Sequence, residues 1–381
     1  MLFRSQATSA SVPTAVDEGT LDSSWNLHVP GDLIAPGLGI RVTVDPDDDV
    51  PEGNNDNNIF PASGGVLPLE VRSPPVFDIQ FVPVRVSGVT GNVNESNMQS
   101  YLDDALKVFP LPGANAGVRR EPFTSSVTAT NTPEAWSTII NEVRVLRITE
   151  GSTSYYYGIL ARVGGTAYCG LGYVGYPVAI GLDQCGSWTA AHEWGHNFGR
   201  WHVGCGNPSN PDPLYPYVNG SIGVYGFDTE TRQVKRPSTY VDLMSYCEPE
   251  WISDYTFRAV LAFREAEAAA QAAYAVAREP SLVVWGRMNG SSLTLEPAFE
   301  VETRPSLPAE PGPYTLQGLD ASGDVVFELS FAGEALGHGP ADERHFAFAV
   351  PASMARADRL ERLRLIGPGA AMAERARLPV A

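Results

Sequence analysis

Two periodicities organise the chain. Residues 39–44 and 66–71 alternate apolar and polar positions like half-buried strands. Residues 77–86 and 155–163 are nearly continuous apolar runs and predict buried strands. Helical spacing over 97–109 puts Met98, Tyr101, Leu102, Ala105, Leu106 and Phe109 on one side, and Pro110 closes the run. A second helix opens at Thr132-Pro133-Glu134, with threonine as N-cap and proline at the first helical position. Trp136, Ile139, Ile140, Val143 and Leu146 or Arg147 mark its faces. A long alanine-rich helix runs over 253–278, capped by Ser253 and carrying Tyr255, Phe257, Val260, Leu261, Phe263 and Tyr274. Beyond residue 281 strands return at 282–285, 292–295, 325–331 and 345–350.

Strand, helix, strand, helix, strand between the Pro74-Pro75 linker and the alanine-rich helix describes a mixed α/β layer. The many glycines and prolines around the outer strands suggest small β-sandwiches. The expected fold class is α+β, in three parts. These are an N-terminal β module (1–75), a central domain with a mixed sheet (76–279) and a C-terminal β-sandwich module (280–381).

Charge narrows the function. Forty-four acids against 26 bases give a net charge of −18, which would repel phosphate backbones and argues against nucleic acid as a partner. Ten of the acids, against two bases, fall in the first 60 residues. The acidic stretch 45–58 offers the carboxylate and amide oxygens that Ca2+ favours, but not EF-hand spacing, so a solvated connection is the plainer reading. The N-terminal pattern resembles the small Ig-like adhesion modules that precede bacterial exported enzymes. No apolar run is long enough for a spanning helix, and residues 1–20 lack the apolar core of a signal peptide. Four cysteines permit two disulfides in three connectivities, and no CxxC pair points to a cysteine metal site.

Three of the six histidines fall within residues 192–202, which read His-Glu-Trp-Gly-His-Asn-Phe-Gly-Arg-Trp-His. On a helix over 187–198, His192 and His196 are one turn apart and project to one side, as two zinc ligands must. Glu193 stands beside the first of them, able to serve as a general base without being a ligand. Gly199 can turn the chain in a left-handed conformation and return His202 as a third ligand. Three histidines leave a fourth position for water, the mark of a catalytic site. His28, His338 and His345 fall outside this region.

This spacing is similar to the HExxHxxGxxH signature of the metzincin zinc proteases, of the bacterial secreted type. The resemblance covers roughly residues 77–278. It implies that Met244, in Leu-Met-Ser-Tyr, is the methionine of a turn beneath the metal. It also implies that Tyr246, two residues on, either ligates zinc, stabilises the oxyanion or is structural. An extended peptide would pair with an edge strand in the glycine-rich segment 165–175. Residues 206–239 would shape the specificity pocket. The converging segments under the metal pair Cys205 with Cys247, leaving Cys169 and Cys185 to staple the loop before the active-site helix. Such bridges imply an oxidising compartment, secreted or at the cell surface. Val203 replaces the aspartate that adamalysin-like members carry after the third histidine. The expected function is zinc-dependent endopeptidase action on protein or glycoprotein substrates, narrowing to a glycopeptidase if an adjacent glycan is required. The competing reading is a surface adhesion or carbohydrate-binding protein with the protease fold as scaffold.

Overall fold

The computed structural model describes residues 15, 17–24, 26, 28–273 and 277–376. The chain divides into two compact units, Met1–Ser73 and Pro74–Ala381.

In the first unit the alternating segments form paired strands only two residues long: Gly39–Ile40 with Leu67–Pro68, and Val42–Thr43 with Ile59–Phe60. The alternation predicted half-buried strands of a sandwich, but Val42, Val44, Phe60 and Val66 are exposed. With so few apolar side chains covered, two packed sheets do not form here among the described residues. Acidic and amide side chains of the 45–58 loop bond to one another and to its own backbone. Asp45 accepts from Asp49 N and Val50 N, and Asn55 donates to Asp48.

The second unit begins with a mixed sheet. From one edge inward its strands are Gly170–Gly172, Val178–Leu182, Tyr155–Leu160, Phe77–Val86 and Ala114–Val118. The edge strand runs antiparallel to its neighbour and the others run parallel. One row across the sheet is Leu171, Ile180, Gly158 and Val82. A Cβ on Gly158 would lie 2.8 Å from Ile180 Cγ2, so this row needs glycine in its middle. Period-two alternation then sorts the apolar side chains. Phe77, Ile79, Phe81, Tyr155 and Tyr157 face one way, and Val82, Val84, Tyr156 and Ile180 the other.

Four helices matter. They are α1 (Asp103–Val108), α2 (Pro133–Thr149), α3 (Gly186–Asn197) and α4 (Asp254–Ala273). Thr132 caps α2 by accepting from Ala135 N at 3.2 Å. Trp136, Ile139, Ile140 and Val143 of α2 pack on the second sheet face. Trp194 of α3 is fully buried on the first face, edge-on to Phe77 and Phe81 and beside Tyr157. Truncating such a side chain to alanine costs about 3–5 kcal/mol. Ser253 Oγ accepts from Thr256 N at the start of α4. The rest of that helix as expected from sequence passes through residues 274–276, which lie outside the described residues.

The C-terminal strands build two facing sheets. One contains Glu279–Asn289 and Glu343–Pro351 at its centre, the other Tyr314–Leu319 and Arg362–Ile366. Leu282, Val284, Leu316, Phe331, Phe346 and Leu365 form the core between them. Five C-terminal strands were not anticipated from sequence: Phe299–Thr303, Tyr314–Leu319, Glu334–Ala335, Arg362–Ile366 and Met372–Ala376. This sandwich is not a separate unit. Val145 and Ile148, on the far side of α2, are buried against Val283, Ala347 and Ala349. Arg144, nearly fully buried, donates to Glu334 at 2.7 Å.

Candidate metal centre

Helix α3 carries His192, Glu193 and His196 on residues buried between the mixed sheet and the segment after Asp242. The helix ends at Asn197, and Gly199 adopts φ +79°, the left-handed turn that brings the chain round to His202. The ring centroids of His192, His196 and His202 then lie 4.7–5.3 Å apart.

Each of the three rings is fixed from behind. Nδ1 of His192 faces Leu243 O at 2.7 Å, Nδ1 of His196 faces Arg200 O at 2.7 Å, and Nδ1 of His202 faces Ser209 O at 2.6 Å. A carbonyl only accepts, so each Nδ1 carries the proton and each Nε2 presents a lone pair to the centre. Nε2 of His192 and of His196 is buried without a hydrogen-bond partner. Burial holds His192 near 4 and His202 near 3, and keeps His196 well below the ordinary 6.5. Neutral, fixed imidazoles with unpaired inward nitrogens fit a divalent cation, whose charge would satisfy the atoms the protein leaves unsatisfied. The group can hold a metal ion.

Glu193 is 2% exposed, and one of its carboxylate oxygens has no partner. Burial raises its carboxyl to about 8, partly offset by His192. The edge strand lies against it. A Cβ on Gly170 would sit 2.5 Å from Glu193 Oε1, and one on Gly172 2.7 Å from Glu193 O. Glycines are required there because backbone and carboxylate approach so closely.

Met244 is fully buried, and its Sδ occupies the space where Gly195 would carry a Cβ, at 2.3 Å. The turn is anchored by Asp242, which accepts from Met244 N at 2.9 Å and from Ser253 N at 3.0 Å. Tyr246 is half exposed. Its hydroxyl is 3.2 Å from His202 Nε2, and burial followed by the Glu193 charge raises its pKa. Cys205 is bonded to Cys247, and Cys169 to Cys185. The first bridge joins the chain after His202 to the chain after Tyr246. The second joins the approach to the edge strand with the start of α3.

Two placements differ from expectation. A cavity of about 600 Å3 opens beside Glu193, walled by Trp188, Thr189, Ser245, Glu248 and Glu250. No residue of 206–239 lines it, and residues of the chain after Met244 form that wall, whereas Gly206, Asn207, Pro208, Pro211 and Asn219 line a separate cavity of about 480 Å3 beside Cys205. His338 also belongs to the centre. Its Nδ1 is 2.6 Å from Tyr246 Oη and its Nε2 is 3.2 Å from Glu193 Oε1. The ligand atoms of His192, His196, His202 and His338 lie within 4.8 Å of one another. The sequence signal was a histidine between glycines, Leu336-Gly-His-Gly-Pro340, in a β module. His345 is buried too, with Nδ1 2.8 Å from Tyr173 Oη, while His28 is an exposed residue of the N-terminal unit.

No family model matches the chain, and no curated protein does. Among solved structures, wild-type OgpA from Akkermansia muciniphila is similar at TM-score 0.27 and 10% identity, covering 79% of this chain and 92% of that one. Catalytically inactive OgpA in complex with an O-glycopeptide (glycodrosocin) substrate is similar at TM-score 0.26 and 9% identity, covering 79% and 91%. Likeness at this level fixes neither fold nor activity. Among the described residues no helix is long and apolar enough to cross a membrane.

Proposed function

We propose that the protein is a secreted zinc-dependent endopeptidase of the metzincin type that hydrolyses protein or glycoprotein substrates. The observation that carries this reading is the set of three imidazoles, each fixed through Nδ1 to a backbone carbonyl, with Glu193 alongside. His192, His196 and His202 would hold the metal. Imidazole suits Zn2+, and zinc would supply polarisation of the scissile carbonyl and a water of lowered pKa.

The chain's own groups do the rest. An extended substrate adds to the edge strand Gly170–Gly172, whose glycines let it lie close to Glu193. Glu193 takes a proton from the attacking water and returns it to the leaving amide nitrogen, so that water adds across the peptide bond. The Tyr246 hydroxyl, its proton held by a raised pKa, donates to the developing oxyanion. Met244 and the buried Asp242 hold Leu243 O in place behind His192. Two disulfides around the centre support an oxidising, extracellular setting.

The deciding experiment loads wild type and Glu193→Ala with Zn2+ and follows cleavage of casein and of a mucin-type glycoprotein. Loss of a general base lowers turnover by about 10²–10⁴-fold while the zinc content stays the same. Equal cleavage by both proteins refutes the reading. Cleavage of the glycoprotein alone narrows it to a glycopeptidase. Nothing in the site favours the adhesion reading.

A further inference from the structure

We propose that residues 333–340 form a stopper delivered by the C-terminal sandwich, and that His338 is a fourth imidazole closing the metal site until the segment withdraws. The proposal rests on reading His192, His196 and His202 as metal ligands, and it concerns how that same site is regulated.

The first observation is where the ring sits. His338 Nε2 is 3.2 Å from Glu193 Oε1 and shares the 4.8 Å cluster with the other three ligand atoms. A general base must lie within about 2.6–3.2 Å of the proton donor it serves. The imidazole therefore occupies the ground that the attacking water needs. Three protein ligands leave a zinc site open, whereas four close it.

The second observation is independent and concerns backbone. Residues 335–337 lie antiparallel along the chain that continues the edge strand. Gly337 N donates to Gly172 O at 2.8 Å, Val174 N donates to Ala335 O at 2.9 Å, and Tyr173 and Leu336 form a bridge. An extended peptide adds to a free strand edge in this way. One short segment thus takes both the place of the water and part of the place of the substrate.

The segment is built for a close fit with a movable tip. A Cβ on Gly337 would meet the His196 ring at 2.3 Å, so only glycine passes there. Gly333 and Gly339 adopt φ +73° and +107°, bracketing the segment with turns that glycine alone makes easily. Its root is fixed, because Leu336 is buried in the core beside α2 and Glu334 pairs with Arg144. Its tip is held by side chains: His338 meets the Tyr246 hydroxyl and the Glu193 carboxylate. Rotation of the tip, residues 337–339, would release Gly172 O and open the centre to the cavity along Tyr168–Gly170, while Leu336 and Glu334 stay packed.

The test uses the full chain loaded with Co2+ and reads its visible absorption during titration with acetohydroxamic acid. Wild type, His338→Ala and His338→Ser are compared. Each is expected to take one Co2+, and both variants to bind the hydroxamate at least tenfold more tightly than wild type. Apparent affinity falls in proportion to the open fraction, so a tip closed about nine-tenths of the time gives that factor. Peptide hydrolysis by the zinc forms should rise in step. Equal hydroxamate affinity in all three proteins overturns the proposal. So does loss of hydrolysis in variants that keep Co2+, which would make His338 a catalytic residue. Failure of all three to take up Co2+ removes the ligand reading itself, and the stopper with it.

Discussion

Two sets of imidazoles meet at this centre, and they are held differently. His192, His196 and His202 come from eleven consecutive residues, and each is fixed to a backbone carbonyl. His338 arrives from the C-terminal sandwich and is held by a tyrosine hydroxyl and a carboxylate. A carbonyl in a packed turn moves only if the fold moves, whereas a side-chain partner can change rotamer. The first set is therefore a permanent part of the site and the second a conditional one.

The largest expected effect tests permanence. His196→Ala should weaken Zn2+ binding by roughly a hundredfold to a thousandfold, about one ligand's share of a zinc site's binding energy. His338→Ala should stay within about tenfold of wild type, because water replaces the lost nitrogen. Competition against a chromophoric chelator reads both, and equal losses would erase the distinction. A smaller effect concerns the support behind the first set. Asp242→Asn removes a buried carboxylate that accepts from Met244 N and Ser253 N, at a cost of about 2 kcal/mol in thermal unfolding. By releasing Leu243 O it should also lower Zn2+ affinity about tenfold. Unchanged affinity would show that the carbonyl is held without it.

The smallest effect lies on the cavity wall. Burial, then the neighbouring Glu248 and Asp104 charges, raise Glu250 to about 7 from 4.5. The fold thus favours the protonated acid, and stability falls as pH climbs from about 4.5 to about 7. Glu250→Gln removes that loss, giving about 1–2 kcal/mol at pH 8 and none below about pH 4.5 after allowance for solvent screening. Urea unfolding at the two pH values measures it. A gain that disappears in the His338→Ala background would link this wall to the stopper.

The three clustered histidines, Glu193 and Gly199 were legible in the sequence because the geometry relating them is local. One helical turn and one left-handed residue set it. The buried strands 77–86 and 155–160 were legible for the same reason. His338 was not, because its meeting with Glu193 spans 145 residues and depends on how a sandwich docks on α2. The docking itself was hidden in Val145 and Ile148, which lie off the stripe of Trp136, Ile139, Ile140 and Val143 and proved to be covered. At Val42 and Val44 the error ran the other way. Alternation promised burial, but a pattern creates a core only when a second surface exists to cover it.

The second variable position of the HExxH motif, Gly195, carries a further consequence. Motif notation treats it as free, yet Met244 sulfur fills the space beside it, and Gly337 leaves equally little room against the ring of His196. One added methyl group on either side would have to displace a fully buried thioether or an imidazole already fixed to a carbonyl. The tolerance of the centre to mutation is therefore set by volume at two residues that donate nothing. A survey of substitutions would find these silent positions as restrictive as the ligands.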